Sequence, residues 1–283
     1  MAVVGLGATG RRAQPVAEPA DTPQGETRTM HLGLVTYNVA RDWNLDTILR
    51  ICRESGIEGV EFRTTHGHGI EPGLGAAERA DVRKKCSDAG LRQVSLGTVC
   101  EFHSPDRAVV QENITTCEAF VKLAQDIGAR GVKVRPNGLP AGVPAERVLE
   151  QIGKSLAACG KIGADHGVEI WMEVHGGGTS LPTNARKIMD ACGHPNVGIT
   201  WNSNPSDVSD GSVKQAFGLL SPFIRCCHIT DLWSGYPWRE LFLLLRGASY
   251  DRFTLCEVGT PVPPEAGATF LRCYRALWKE LTR

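Results

Sequence analysis

A closed (β/α)8 barrel of the TIM type, in a single domain, is the fold this sequence predicts. Three observations carry it. Short apolar runs rich in β-branched residues recur eight times from Met30 onward, the form taken by strands covered on both faces. Amphipathic helical segments separate them. Eight strand–helix units within about 250 residues, with both end units covered, favour closure over an open doubly wound sheet.

The strand candidates, in chain order, are residues 32–37, 59–63, 92–97, 131–135, 168–174, 197–201, 224–229 and 253–258. After the first, NLDTILRICRESG places Leu45, Ile48, Leu49 and Cys52 at i, i+3, i+4 and i+7, and Gly56 can end the helix. After the fourth, PAERVLEQIGKSLAACG puts Pro144 in the first turn and Val148, Ile152 and Leu156 on one stripe. After the eighth, FLRCYRALWKEL gives an apolar face of Phe270, Cys273, Tyr274, Leu277, Trp278 and Leu281.

Residues 1–29 are expected to stand outside the fold, as a disordered leader or the remnant of a signal peptide, leaving 30–283 as the barrel. GLGATG matches G-x-G-x-x-G through Gly5, Gly7 and Gly10, but a dinucleotide fingerprint needs a strand before it and a helix after it. Only Met1 to Val4 precede it, and a proline-bearing segment without helical period follows. No nucleotide cofactor is therefore expected. AVVGLG resembles the end of a signal-peptide apolar region, yet no basic segment precedes it, and Arg11-Arg12 lies on the wrong side for a twin-arginine signal. A cytoplasmic location is slightly favoured over export.

The 283 residues carry 31 Lys+Arg and 31 Asp+Glu, a net charge of zero, and 42% hydrophobic residues. The content suffices for a large core. The balance lacks the basic excess of a nucleic-acid binder, and no apolar run reaches the roughly 18 residues of a membrane span. The ten cysteines form no C-x-x-C pair and most sit in apolar patterns, as small hydrophobes do.

In a barrel of this kind, chemistry sits at the C-terminal ends of the strands. Four late strands end there in a potential ligand: Glu173 in IWMEVHG, Asn202 in ITWNSNP, His228 in RCCHITDLW and Glu257 in TLCEVG. Each is about one strand–helix unit from the next, so the four should converge on the barrel mouth. Two carboxylates, an amide oxygen and an imidazole make a hard-to-borderline metal site.

On GIEGVEFR, WMEVHG, CHITDLW and LCEVG, residues 31 to 281 resemble the xylose-isomerase-like sugar phosphate isomerase/epimerase superfamily. The resemblance implies a divalent ion, Mn²⁺ or Mg²⁺ ahead of Zn²⁺ or Co²⁺, on Glu173, His228 and Glu257. It implies too that Glu173 and Glu257 flank the substrate carbon and exchange its proton. Asn202 departs from the family's aspartate. With Asn202 the ligand set carries two negative charges, neutral with a divalent ion, so weaker but not abolished metal binding is expected.

Other polar groups are candidates for substrate binding. His175 shares a face with Glu173, and Lys133 shares one with Arg135. The two cations could hold a phosphate, a carboxylate or an oxyanion, or pair with strand-end glutamates. Glu101 follows strand three; His66 and His68 lie in TTHGHGIEP after strand two; Trp201 closes strand six; and Trp233 and Arg239 lie in DLWSGYPWRELF. Aromatic faces there would stack on sugar C–H surfaces or pack as a lid.

The expected activity is a metal-dependent isomerisation or epimerisation of a small keto sugar or sugar phosphate through an enediolate. A lyase or dehydratase acting on a keto sugar or keto-inositol needs the same first proton abstraction. A non-catalytic sugar-binding barrel is the reading in which Asn202 marks a lost site. An abasic-site endonuclease would need more ligands and a basic surface, neither evident. The partners expected are a small carbohydrate and, as an open option, further copies of the chain; no nucleic acid or membrane is expected.

Overall fold

The computed structural model describes residues 1–2 and 29–283. Nearly all of the expected leader, with Gly5, Gly7 and Gly10, therefore lies outside the described residues. Strand and helix alternate: β1 (His31–Val35), α1 (Leu45–Ser55), β2 (Gly59–Arg63), α2 (Ala76–Asp88), β3 (Gln93–Glu101), α3 (Arg107–Ile127), β4 (Gly131–Arg135), α4 (Ala145–Asp165), β5 (Glu169–Glu173), α5 (Pro182–Cys192), β6 (Val197–Trp201), α6 (Lys214–Leu220), β7 (Ile224–Ile229), α7 (Trp238–Gly247), β8 (Phe253–Cys256) and α8 (Pro264–Leu281). The strands form a closed barrel in sequence order. β8 returns to pair in parallel with β1, Gly33 opposite Leu255.

Local chemistry explains the element ends. The Asn44 side chain accepts from the Thr47 N–H at the start of α1, and Gly56, at φ 70°, closes it in the left-handed region. Pro144 is the N-cap of α4 rather than part of its first turn. β3 runs longer than its apolar pattern, because its register against β4 breaks between Gly97 and Glu101 and pairing resumes at Glu101–Arg135. Glu101 thus ends the strand instead of following it. On α8 the buried stripe is Gly267, Ala268, Leu271, Tyr274 and Trp278. Cys273, expected on that stripe, is exposed, while the other nine cysteines are buried.

Inside the barrel, Val35, Trp171, Cys226, Phe253 and Leu255 form an apolar plug. Glycines on neighbouring strands make room for its large members: a Cβ on Gly59 would meet the Phe253 ring at 2.5 Å, and one on Gly131 the Trp171 ring at 2.5 Å. Since side chains alternate along a strand, the inward residues one or two steps toward the C-terminal end are Glu61, Lys133, Glu173 and His228, all buried. The plug is thus the floor of a polar site. Four non-glycine residues with positive φ stand just past strand ends: Asn38, Thr65, Asn137 and Ser203. Such strain gathers where loops must turn sharply around a site. Among the described residues no helix is long and apolar enough to cross a membrane.

Candidate metal and active site

β5, β7 and β8 bring Glu173, His228 and Glu257 together. One ligand atom from each lies within 4.8 Å of the others. His228, fully buried, directs Nδ1 at both carboxylates, 3.3 Å from Glu257 Oε2 and 3.7 Å from Glu173 Oε1. That Nδ1 has no hydrogen-bond partner. On the other side of the ring, Nε2 lies 3.3 Å from Glu61, which is fully buried on β2. A carboxylate there accepts from Nε2 and leaves Nδ1 as the nitrogen facing Glu173 and Glu257, the arrangement that orients a metal-binding histidine.

Lys133 on β4 places Nζ 2.6 Å from Glu173 Oε2, with both groups nearly sealed from solvent. The two oxygens of Glu173 are therefore divided: Oε2 accepts from the ammonium and Oε1 faces His228. Burial alone would push the Glu173 carboxyl up, but the Lys133 ammonium and His228 outweigh it and hold it well below the usual carboxylate range. Burial likewise opposes a charge on His228. Glu257, Glu61 and Glu173 around it outweigh burial and hold its pKa well above that of a free imidazole.

The donor set fits a divalent cation. It has carboxylate oxygens on two strands, an unpartnered buried imidazole nitrogen between them and, at the end of β6, Asn202, whose Oδ1 is buried without a hydrogen-bond partner. The Asn202 amide N–H donates to Asn204 Oδ1 at 3.4 Å. The charge count made from four ligands needs two more groups. Lys133 adds a positive charge beside Glu173 and Glu61 a negative one behind His228. These two charges offset one another, and the negative field is moved from the Glu173 side to the His228 side.

The other sequence candidates divide. Lys133 and Arg135 are taken up by strand-end glutamates, Arg135 Nη2 lying 2.6 Å from Glu101 Oε1. Glu101 Oε1 also accepts from Asn137 Nδ2 at 2.6 Å. These two cations are thus ion-paired, not a free anion cradle. His68 is a structural residue: Nε2 contacts the Arg63 carbonyl at 2.9 Å and Nδ1 accepts from the Ile70 N–H. Its burial lowers its pKa to about 4, so it stays neutral and has no ring nitrogen left for a ligand. His66 keeps one nitrogen on Thr36 Oγ1 at 3.2 Å and stacks on Tyr37. Burial, with His68 and Arg63 nearby, lowers its pKa to about 4.

His175 has a buried Nδ1 without a hydrogen-bond partner. Trp201 is closed to a ligand. It is 1% exposed, packs against Phe217 and donates its indole N–H to Tyr236 Oη; it points into the helix layer because alternation turns it away from the interior. Trp238 is buried likewise, whereas Trp233 is 59% exposed and meets Tyr274 edge-on. Arg239 is exposed at the start of α7.

Glu61 and Arg63 are the site residues that sequence reasoning missed. The signal was present: in GVEFR the apolar Val60 and Phe62 alternate with Glu61 and Arg63, so the charged pair had to face the interior. Gly97 on β3 leaves them space, since a Cβ there would stand 2.7 Å from Glu61 Oε1 and 3.4 Å from Arg63 Cδ.

A family model described as xylose isomerase-like TIM barrel matches residues 49–273. Among solved structures, D-psicose 3-epimerase from Clostridium cellulolyticum H10, with D-tagatose, superposes with a TM-score of 0.76 at 11% identity, over 90% of this chain and 100% of that one. An L-ribulose 3-epimerase gives 0.74 at 16%, over 90% and 96%. The IOLI protein with a bound zinc atom gives 0.69 at 19%, over 89% and 96%. No curated protein sequence matches the chain.

Proposed function

The chain belongs to the xylose isomerase-like TIM barrel family, and on that premise we propose that it is a divalent-metal-dependent isomerase or epimerase of a small keto sugar. The observation that carries this reading is the convergence of Glu173, His228 and Glu257 within 4.8 Å at one end of the barrel, with Asn202 Oδ1 and His228 Nδ1 buried and unpartnered. Glu173, Asn202, His228 and Glu257 would hold the ion. Bound there, it would supply positive charge to stabilise an enediolate developing on the substrate.

The chain's own groups do the rest. Glu173 and Glu257 come from strands three apart and flank the substrate carbon beside its carbonyl. One carboxylate takes the proton and the other returns it, on the opposite face for epimerisation. Lys133 keeps Glu173 ionised and fixed in direction through Oε2. Glu61 holds His228 through Nε2. His175, whose Nδ1 has no hydrogen-bond partner, binds a substrate hydroxyl. The apolar plug beneath the site closes it to water from below. The epimerases and the zinc-bearing protein that share this fold are consistent with such chemistry.

The test is solvent deuterium exchange across a panel of keto sugars, run with the metal content of the protein measured alongside. Incorporation of one deuterium beside the carbonyl, dependent on added Mn²⁺ or Mg²⁺ after chelation, supports the proposal. Loss of water to an unsaturated product would assign a dehydratase. Sugar binding with no exchange under any metal would overturn catalysis.

A further inference from the structure

Three cationic side chains line the interior at β2 and β4, and only two have a carboxylate partner. Lys133 is held by Glu173 and Arg135 by Glu101. Arg63, the last residue of β2 and half-buried, makes no ion pair among the described residues. One of its nitrogens, Nη1, donates to the Thr64 carbonyl at 3.1 Å. Its guanidinium carbon stands 5.8 Å from the centre of the Tyr37 ring. That ring is stacked on His66, with centroids 6.1 Å apart and planes 12° from parallel.

This is a built support rather than a stray side chain. The Tyr37 ring and the Thr64 carbonyl hold the guanidinium in place. Its backbone N–H is anchored on Thr36 Oγ1 at 2.9 Å. Gly97 leaves the space through which the side chain passes. A half-buried arginine that has lost water and gained no carboxylate in direct contact is held at a cost. Burial and the repulsion of Arg135 lower its pKa, against the opposing pull of Glu173 and Glu61. The remaining donors of its planar fork suit a two-oxygen anion. Arg63 runs beside Glu61, since a Cβ on Gly97 would meet both Glu61 Oε1 at 2.7 Å and Arg63 Cδ at 3.4 Å, and Glu61 lies 3.3 Å from His228 Nε2, so an anion on Arg63 and a carbonyl at the metal ligands can belong to one small molecule.

We infer that the substrate carries an anionic oxygen group, a carboxylate or a phosphate, and that Arg63 binds it as the specificity-determining residue. The inference rests on the proposed isomerase reading and narrows its substrate class to acidic sugars.

The experiment uses the full chain with Mn²⁺ and three matched probes: D-fructose, D-fructose 6-phosphate and 2-keto-D-gluconate. Binding is measured by calorimetry and deuterium exchange by mass spectrometry, for the wild type, Arg63→Gln and Arg63→Lys. Metal content and near-ultraviolet circular dichroism report whether each variant is folded and loaded. The expected result is that at least one anionic probe binds tenfold or more tighter than D-fructose. Arg63→Gln removes that preference, and Arg63→Lys keeps only part of it because the fork is lost. The probe preferred identifies the anion as phosphate or carboxylate.

Equal affinity for neutral and anionic probes, or a preference that survives in Arg63→Gln, overturns the inference; exchange on D-fructose in that case leaves the isomerase reading standing. An Arg63-dependent preference without any exchange supports the anion site while removing the isomerase reading. Failure of the wild type to bind any of the three overturns the inference.

Discussion

Replacing Glu61 by Gln should weaken divalent-metal binding although Glu61 touches no ion. The residue is fully buried and 3.3 Å from His228 Nε2. As a carboxylate it can only accept, so it keeps a proton on Nε2 and makes Nδ1 the nitrogen that gives its lone pair to an incoming metal. An amide of nearly the same shape removes the negative charge and offers a donor as well. It can therefore hydrogen-bond to an unprotonated Nε2, which moves the imidazole proton onto Nδ1 and blocks the ligand atom. Loss of a partner behind a ligating histidine typically costs 10–100-fold in metal affinity, about 1.4–2.7 kcal/mol. The near-isosteric change leaves no cavity, so the thermal midpoint of the metal-free protein should fall little. Mn²⁺ titration followed by electron paramagnetic resonance gives the affinity directly. A dissociation constant within twofold of the wild type, in a folded variant, would refute the argument that Glu61 sets the tautomer of His228.

Further outcomes follow from the same geometry. Asn202→Asp adds a charge where a buried amide oxygen stands unpartnered; Mn²⁺ should bind at least about fivefold tighter, since an added opposite charge near an ion is worth on the order of 1–4 kcal/mol, and calorimetry reads the change. Glu257→Gln should reduce deuterium exchange by at least a hundredfold, in line with loss of a general base; normal exchange at full metal occupancy would remove Glu257 from the proton path. Gly97→Ala should perturb metal binding in the same direction as Glu61→Gln, because its Cβ would press on Glu61 Oε1. Asp207 offers a pH test: burial raises its pKa to about 6 from the ordinary 3.8. A folded-state pKa above the unfolded one means that its contribution is fully present below about pH 4 and is lost as pH rises through 6. Two units correspond to about 3 kcal/mol. Urea unfolding at pH 4 and pH 8 should therefore show Asp207→Asn gaining up to about 3 kcal/mol relative to the wild type between the two.

The eight strand–helix units were legible in the sequence because strand and helix periods are local. Apolar runs such as VGITW, and the 3.6-residue stripe of α1 with its Asn44 and Gly56 caps, state their form without reference to the rest of the chain. The placing of Glu173, His228 and Glu257 was legible for a related reason: barrel closure sends every strand's C-terminal end to the same face, so position along a strand predicts position in space. Short-range alternation also held the clue to Glu61 and Arg63 in GVEFR, and to the outward turn of Trp201.

What only the tertiary structure decided are the pairings across the interior. Glu61 and His228 are 167 residues apart in sequence and meet through the barrel's hollow. Lys133 and Glu173 are 40 apart and meet across neighbouring strands. No periodic signal encodes which of several inward charges will touch, because that depends on strand tilt, on the register break in β3 and on the space left by Gly97. The same holds for the two histidines of THGHG. His68 folds back on the Arg63 carbonyl and the Ile70 N–H, while His66 turns to Thr36 and Tyr37. A loop's hydrogen bonds are settled by what it lands on, and that surface exists only once the barrel has closed.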